Sequence, residues 1–157
     1  GPRVDVIVDT NVFIDAIFHD DKECLEILQR EHKLELFFIM SNEMTEELIK
    51  TVFYHAISLK LSLNGFKQPL FKICRTLRRV IPFEPQSRLN ISADPDDNMF
   101  IECAVGTNCE YIVSSDSHLL DIEREIKNKA KKPIKIITPY EFINIHNLYR
   151  LKNHFKS

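Results

Sequence analysis

The sequence predicts an α/β fold on a mainly parallel sheet, and two observations carry that prediction. Apolar runs at Val4 to Val8, Leu34 to Met40, Tyr111 to Val113 and Ile134 to Ile137 are short and nearly continuous, as strands covered on both faces should be. Stretches with helical spacing of apolar residues separate them. Strands alternating with helices in this way argue a parallel sheet.

Val4-Asp5-Val6-Ile7-Val8 is the first strand. A helix begins over Asn11 to Ala16, and Lys22 to Glu31 continues helically with Leu25, Ile27 and Leu28 as apolar positions. Leu34 to Met40 reads as the second strand. Ser41 suits the N-cap of a helix through Tyr54, with Met44, Leu48, Ile49 and Val52 along one stripe. Ala56 to Arg79 reads as one or two further helices punctuated by Gly65 and Pro69. In Val80-Ile81-Pro82-Phe83 the proline argues for a short edge strand. Asp94-Pro95 is a strong helix start, Asp at N-cap and Pro at N1, and that helix stops near Gly106. After the strand at Tyr111, Leu119 to Ile126 predicts a short helix and Ile134 to Ile137 the last strand. Thr138-Pro139-Tyr140-Glu141 is a capping box that opens a final helix, and the basic tail after Tyr149 is expected to fray.

The 157 residues suffice for a single domain over 1–157 with a real core, without disulfides or a structural metal. Gly1-Pro2 resembles a protease-site remnant and is left out of the fold. No apolar run approaches the ~20 residues a membrane helix requires, and no secretory leader is evident. Cys24, Cys74, Cys103 and Cys109 show neither CxxC spacing nor nearby histidines, so they read as reduced, mostly buried thiols of a cytoplasmic protein.

The net charge of −2 does not announce a nucleic-acid binder, but its distribution is uneven. Basic residues gather at Lys67, Lys72, Arg75, Arg78 and Arg79, at Lys127 to Lys132, and at Arg150, Lys152 and Lys156. A basic surface around an acidic pocket would suit a polyanion bound through metal.

Four acidic segments fall where strands are expected to hand over to helices. In an open parallel sheet, ligands bind outside the carboxyl ends of the strands. Asp9 directly follows the first strand, and Asp116 stands in the same relation to Tyr111 to Val113, with Ser114 and Ser115 beside it. Glu47 precedes the apolar Leu48 and can flank the core; Glu46 is its rival and Glu43 a weaker one. Asp94 is explained as a cap and Asp96 as an exposed first-turn acid. Asp97 is then the inward candidate, because Ile101 and Ala104 continue its face. Four such charges at ~4 Å and an effective dielectric near 20 repel by about 4 kcal/mol per pair. One or two Mg²⁺ or Mn²⁺ ions would offset this, and the lack of paired His or Cys argues against zinc. His118 is the histidine nearest the site in sequence, but the chemistry does not require it as a base.

Asp-Thr-Asn-Val-Phe from Asp9, Ser41 with Glu47 six residues on, Asp-Pro-Asp-Asp-Asn from Asp94, Val-Ser-Ser-Asp ending at Asp116, and the terminal Ile136-Ile137-Thr138-Pro139-Tyr140-Glu141-Phe142 occur in order. This set resembles the PIN domain family, and most closely its VapC-like toxin ribonucleases. The resemblance implies a three-layer sandwich with a mainly parallel five-stranded sheet flanked by helices. It implies a metal-dependent ribonuclease whose four acids map onto Asp9, Glu47, Asp97 and Asp116. Asn11 and Ser114 match the family's polar auxiliary positions. It further implies an RNA substrate, an antitoxin partner and a homodimer.

Two rival classes remain. One is a module of the same fold that holds RNA without cutting it. The other is a phosphoryl-transfer domain, disfavoured because Asp9 is followed by Thr10-Asn11, with no DxD and no P-loop.

Overall fold

A computed structural model describes residues 3–92, 94–122 and 125–155, apart from the side chains of Ser117 and His118. Its centre is β1 (Val4–Val8), which pairs in parallel with β2 (Leu36–Met40) on one side and β4 (Tyr111–Val113) on the other. β3 (Ile81–Pro82) lies outside β2 and β5 (Lys135–Ile137) outside β4, giving one parallel sheet in the order β3-β2-β1-β4-β5. Flanked on both sides, β1 buries Val6, Ile7 and Val8 completely or nearly so, which explains its unbroken apolar run. Pro82 occupies the edge, where a missing N–H costs the ladder least.

Between β1 and β2 the chain forms α1 (Thr10–Phe18) and α2 (Lys22–His32); between β2 and β3 it forms α3 (Asn42–Ser58) and α4 (Leu63–Leu77). α5 (Pro95–Val105) then carries the chain back across to β4, with α6 (Ser117–Leu120) before β5 and α7 (Pro139–His154) after it. The strand order reverses direction between β1 and β4. Right-handed crossovers therefore place the helices before and after the reversal on opposite faces, so the sheet is the middle of three layers.

Three caps follow their sequence signals. Ser41 Oγ accepts from Met44 N–H, Asp94 accepts from Asp96 N–H, and Thr138 with Glu141 closes a full capping box. Elsewhere the structure corrects the reading. Leu34 belongs to the turn after α2, with φ of 65° and an exposed side chain, so β2 starts at Leu36. α3 extends through Ser58, and its buried stripe is Met44, Leu48, Val52 and Ala56, with Ile49 exposed. α4 is a single helix that keeps Pro69 inside it.

The helix expected over Leu119 to Ile126 ends at Leu120 among the described residues; Glu123 and Arg124 lie outside them. Ile126 instead accepts a backbone bond from Ile134, and Lys127 bridges Pro133. Buried Asn128 closes the intervening loop: its amide donates to the Cys109 carbonyl at 2.9 Å, and its Oδ1 accepts from Ala130 and Lys132. The tail does not fray at Tyr149, since α7 continues to His154; Lys156 lies outside the described residues. Cys24, Cys103 and Cys109 are buried and Cys74 is exposed, all as free thiols.

Candidate active site

At the reversal point, the carboxyl ends of β1 and β4 open into a shallow depression of about 180 Å³. Asp9, Asn11, Glu47, Asp97 and Asp116 all line it, together with Thr10, Thr51, Asp94 and Asp96. The sheet itself fixes the two strand-end acids. Asp9 N–H donates to the Val113 carbonyl at 2.8 Å, and Ser114 N–H to the Ile137 carbonyl at 2.9 Å, so pairing runs one residue beyond each strand.

Asp9 occupies the N-cap position of α1 but makes no side-chain cap hydrogen bond. Its Oδ2 instead accepts from Ser114 Oγ at 2.8 Å, and the same hydroxyl accepts from Asp116 N–H at 3.0 Å. One buried serine thus orders both acidic positions. Only 6% of Asp9 is exposed, and its pKa is pushed from 3.8 up to about 6. Burial is the main cause; the Ser114 bond opposes it, and the charges of Asp116 and Asp97 add to it.

Asp97, equally buried, accepts from Ser92 Oγ at 3.2 Å. Two of its neighbours on α5 pin the preceding loop: Asn98 Oδ1 accepts from Ser92 N–H at 2.8 Å, and Glu102 accepts from Leu89 N–H at 2.5 Å. Glu47 is half-buried and accepts from Thr51 one turn on, at 3.3 Å. Sequence reasoning missed Ser92, Asn98 and Thr51, whose positioning roles depend on contacts that no local motif announces.

Glu46 and Glu43 face elsewhere, into a separate depression with Glu84, Arg88 and Glu102. Asp94 and Asp96 join the rim of the main depression, but Asp94 is engaged as a cap. The side chain of His118 lies outside the described residues. The described lining of the depression itself contains no Lys or Arg. Several of the basic residues are held in ion pairs elsewhere, Arg79 with Glu31, Lys132 with Glu110 and Arg150 with Glu35. A larger cavity, about 500 Å³, opens at the opposite, amino ends of β1 and β4 between Arg3, Asp5, Tyr111 and His146. None of the four candidate acids lines it.

The described lining carries carboxylates with hydroxyl and amide groups beside them and neither histidine nor cysteine, which suits hard divalent ions. Among the described residues no three acidic, histidine or cysteine side chains stand close enough to enclose an ion by themselves. Mg²⁺ does not need such a cage, because it is usually bound by one or two carboxylates and retains several waters. The residues present therefore fit a hydrated ion.

A family model described as PIN domain matches residues 5–118. The chain belongs to the PIN domain family. A relative from Methanocaldococcus jannaschii, itself an uncharacterised protein, is 28% identical over 150 residues, covering 90% of each chain. The fold is shared with a chain in the crystal structure of VapBC2 from Rickettsia felis bound to a DNA fragment from its promoter. That match has a TM-score of 0.54 at 14% identity and covers 86% of this chain and 98% of the other.

Proposed function

We propose that this PIN domain is an Mg²⁺- or Mn²⁺-dependent endoribonuclease, the toxin of a toxin–antitoxin pair. The observation that carries the chemistry is Asp9, buried beside Ser114 and pushed up to about 6 by burial and by the charges of Asp116 and Asp97. A group so placed gains most from a cation nearby. Asp9, Asp97 and Asp116 would hold a hydrated first ion, in part through its waters, and Glu47 a second ion or the attacking water. When bound, such ions neutralise charge on the phosphate and activate water. Ser114 keeps the Asp9 carboxylate aimed into the depression, Thr51 restrains Glu47, and Asn11 at the mouth offers an amide to the RNA backbone.

The fold shared with VapBC2 supports an antitoxin partner. So does an apolar surface on α3 and α4, where Phe53, Tyr54, Ile57, Leu63 and Phe71 are exposed. We assign this surface to protein contacts, with the antitoxin or with a second copy in a homodimer. No described helix is long and apolar enough to cross a membrane, in keeping with a cytoplasmic site of action.

The test is cleavage of single-stranded RNA by purified protein with Mn²⁺, with Mg²⁺, and with EDTA. Metal-dependent cleavage is expected. RNA binding without cleavage under every condition would favour the non-catalytic module, a reading helped by the absence of a three-ligand cage among the described residues. Light scattering of the same preparation tests the homodimer.

A further inference from the structure

His19, at the C-cap of α1, and His55, in the last turn of α3, bring their Nε2 atoms to 3.1 Å from each other at the exposed far end of the two helices. We propose that these two imidazoles form a surface site for a borderline transition ion (Zn²⁺, Ni²⁺ or Cu²⁺), with water completing its shell. Neutral imidazole nitrogen is a preferred donor for these ions. The site is separate from the carboxylate depression and does not depend on the reading of that depression as a nuclease centre.

Geometry supports it in two ways. With metal–nitrogen bonds of about 2.05 Å, two ligands on one ion stand about 2.9 Å apart at a right angle and about 3.3 Å apart at the tetrahedral angle. The observed 3.1 Å falls between them. Extended back to the ring centres, the same two arrangements require separations of about 4.5 and about 5.2 Å. The observed 5.0 Å again falls between. A head-on hydrogen bond between the two nitrogens would hold the centres further apart, at about 5.4 Å for the same nitrogen separation. The rings are nearly perpendicular, at 86°, and Phe18 packs on His55 with ring centres 4.9 Å apart, restraining its orientation.

The helix periodicity places this pair with respect to the first site. Glu47, Thr51 and His55 occupy successive turns of α3, as Asn11, Asp15 and His19 do along α1 and its cap. Eight residues at 1.5 Å rise set His55 about 12 Å along the helix from Glu47. One pair of helices thus presents oxygen donors at its start and nitrogen donors at its end, so hard and borderline ions would sort between the two. An ion on the histidines would tether the ends of the two helices that deliver Asn11 and Glu47.

The test is a Zn²⁺ titration by calorimetry with excess Mg²⁺ present, on wild type, His19→Ala and His55→Ala. It is joined by Cu²⁺ electron paramagnetic resonance on the same proteins. His19 is exposed and His55 half-buried, and circular dichroism checks that the variants remain folded. One Zn²⁺ per chain is expected, weakened about a hundredfold by either substitution because the chelate is lost. The Cu²⁺ spectrum should show two coupled nitrogens in wild type and one or none in the variants. Equal Zn²⁺ affinity in all three proteins, or a wild-type Cu²⁺ spectrum without two nitrogens, would overturn the site.

Discussion

Asp9 and Asp94 stand at the same formal position, the N-cap of a helix, and do opposite things there. Asp94 is exposed, and its carboxylate accepts from Asp96 N–H, satisfying one of the open donors at the start of α5. Asp9 is buried and leaves α1 without a side-chain cap; its carboxylate is held by Ser114 and raised toward neutrality by its surroundings. One aspartate stabilises the fold, and the other carries a cost that a proton or a bound cation would relieve. A helix-start acid becomes a functional candidate when the helix does not use it.

The comparison breaks or sharpens under substitution. The first expected effect concerns neighbouring acids that the same logic separates. Glu47→Gln should lower RNA cleavage about a hundredfold or more, roughly 3 kcal/mol of transition-state stabilisation. Glu46→Gln, in the other depression, should leave the rate within about twofold, and the reverse ranking would show that the wrong face of α3 has been assigned.

Next comes stability without metal. The folded pKa of Asp9 is raised, so the native state binds the extra proton. Its contribution is therefore favourable below pH 3.8 and is lost as pH rises through about 6. Asp9→Asn in EDTA should then be more stable than wild type at pH 7 by up to about 3 kcal/mol, the gain vanishing toward pH 4. Denaturant melts across that range check it, and a pH-independent difference would place the cause elsewhere.

Mn²⁺ at ~100 times its Kd should add about 2.7 kcal/mol to wild type, read as a rise in Tm. Asp97→Asn or Asp116→Asn should shrink that rise, and Asp94→Asn should keep it. The smallest effect belongs to the cap: Asp94→Ala should cost about 1 kcal/mol whether or not metal is present. A metal-dependent cost would move Asp94 into the site.

Much of this was legible because its cause is local. The unbroken run of β1, the Asp94-Pro95 start and the Thr138–Glu141 box each fix neighbouring backbone, and the structure keeps all three. What stayed hidden depends on distant partners. Leu34 takes a left-handed turn where its apolar side chain suggested a strand. Asn128 draws residues 126–134 into a closed loop through a bond to Cys109, so the expected helix stops early. The histidine pair was invisible for the same reason: His19 and His55 are 36 positions apart, and only the packing of α1 against α3 joins them. At the candidate active site, the depression gathers the four acids chosen from sequence, while Ser92 and Thr51, which restrain two of them, carry no signal of their own.

The most direct test places the two N-cap aspartates side by side in one cleavage assay. Wild type, Asp9→Asn and Asp94→Asn are incubated with single-stranded RNA and Mn²⁺, with EDTA as the control. The account predicts cleavage by wild type and Asp94→Asn that EDTA abolishes, and a loss of about a thousandfold in Asp9→Asn, roughly 4 kcal/mol. Equal Mn²⁺-dependent cleavage by wild type and Asp9→Asn would contradict it.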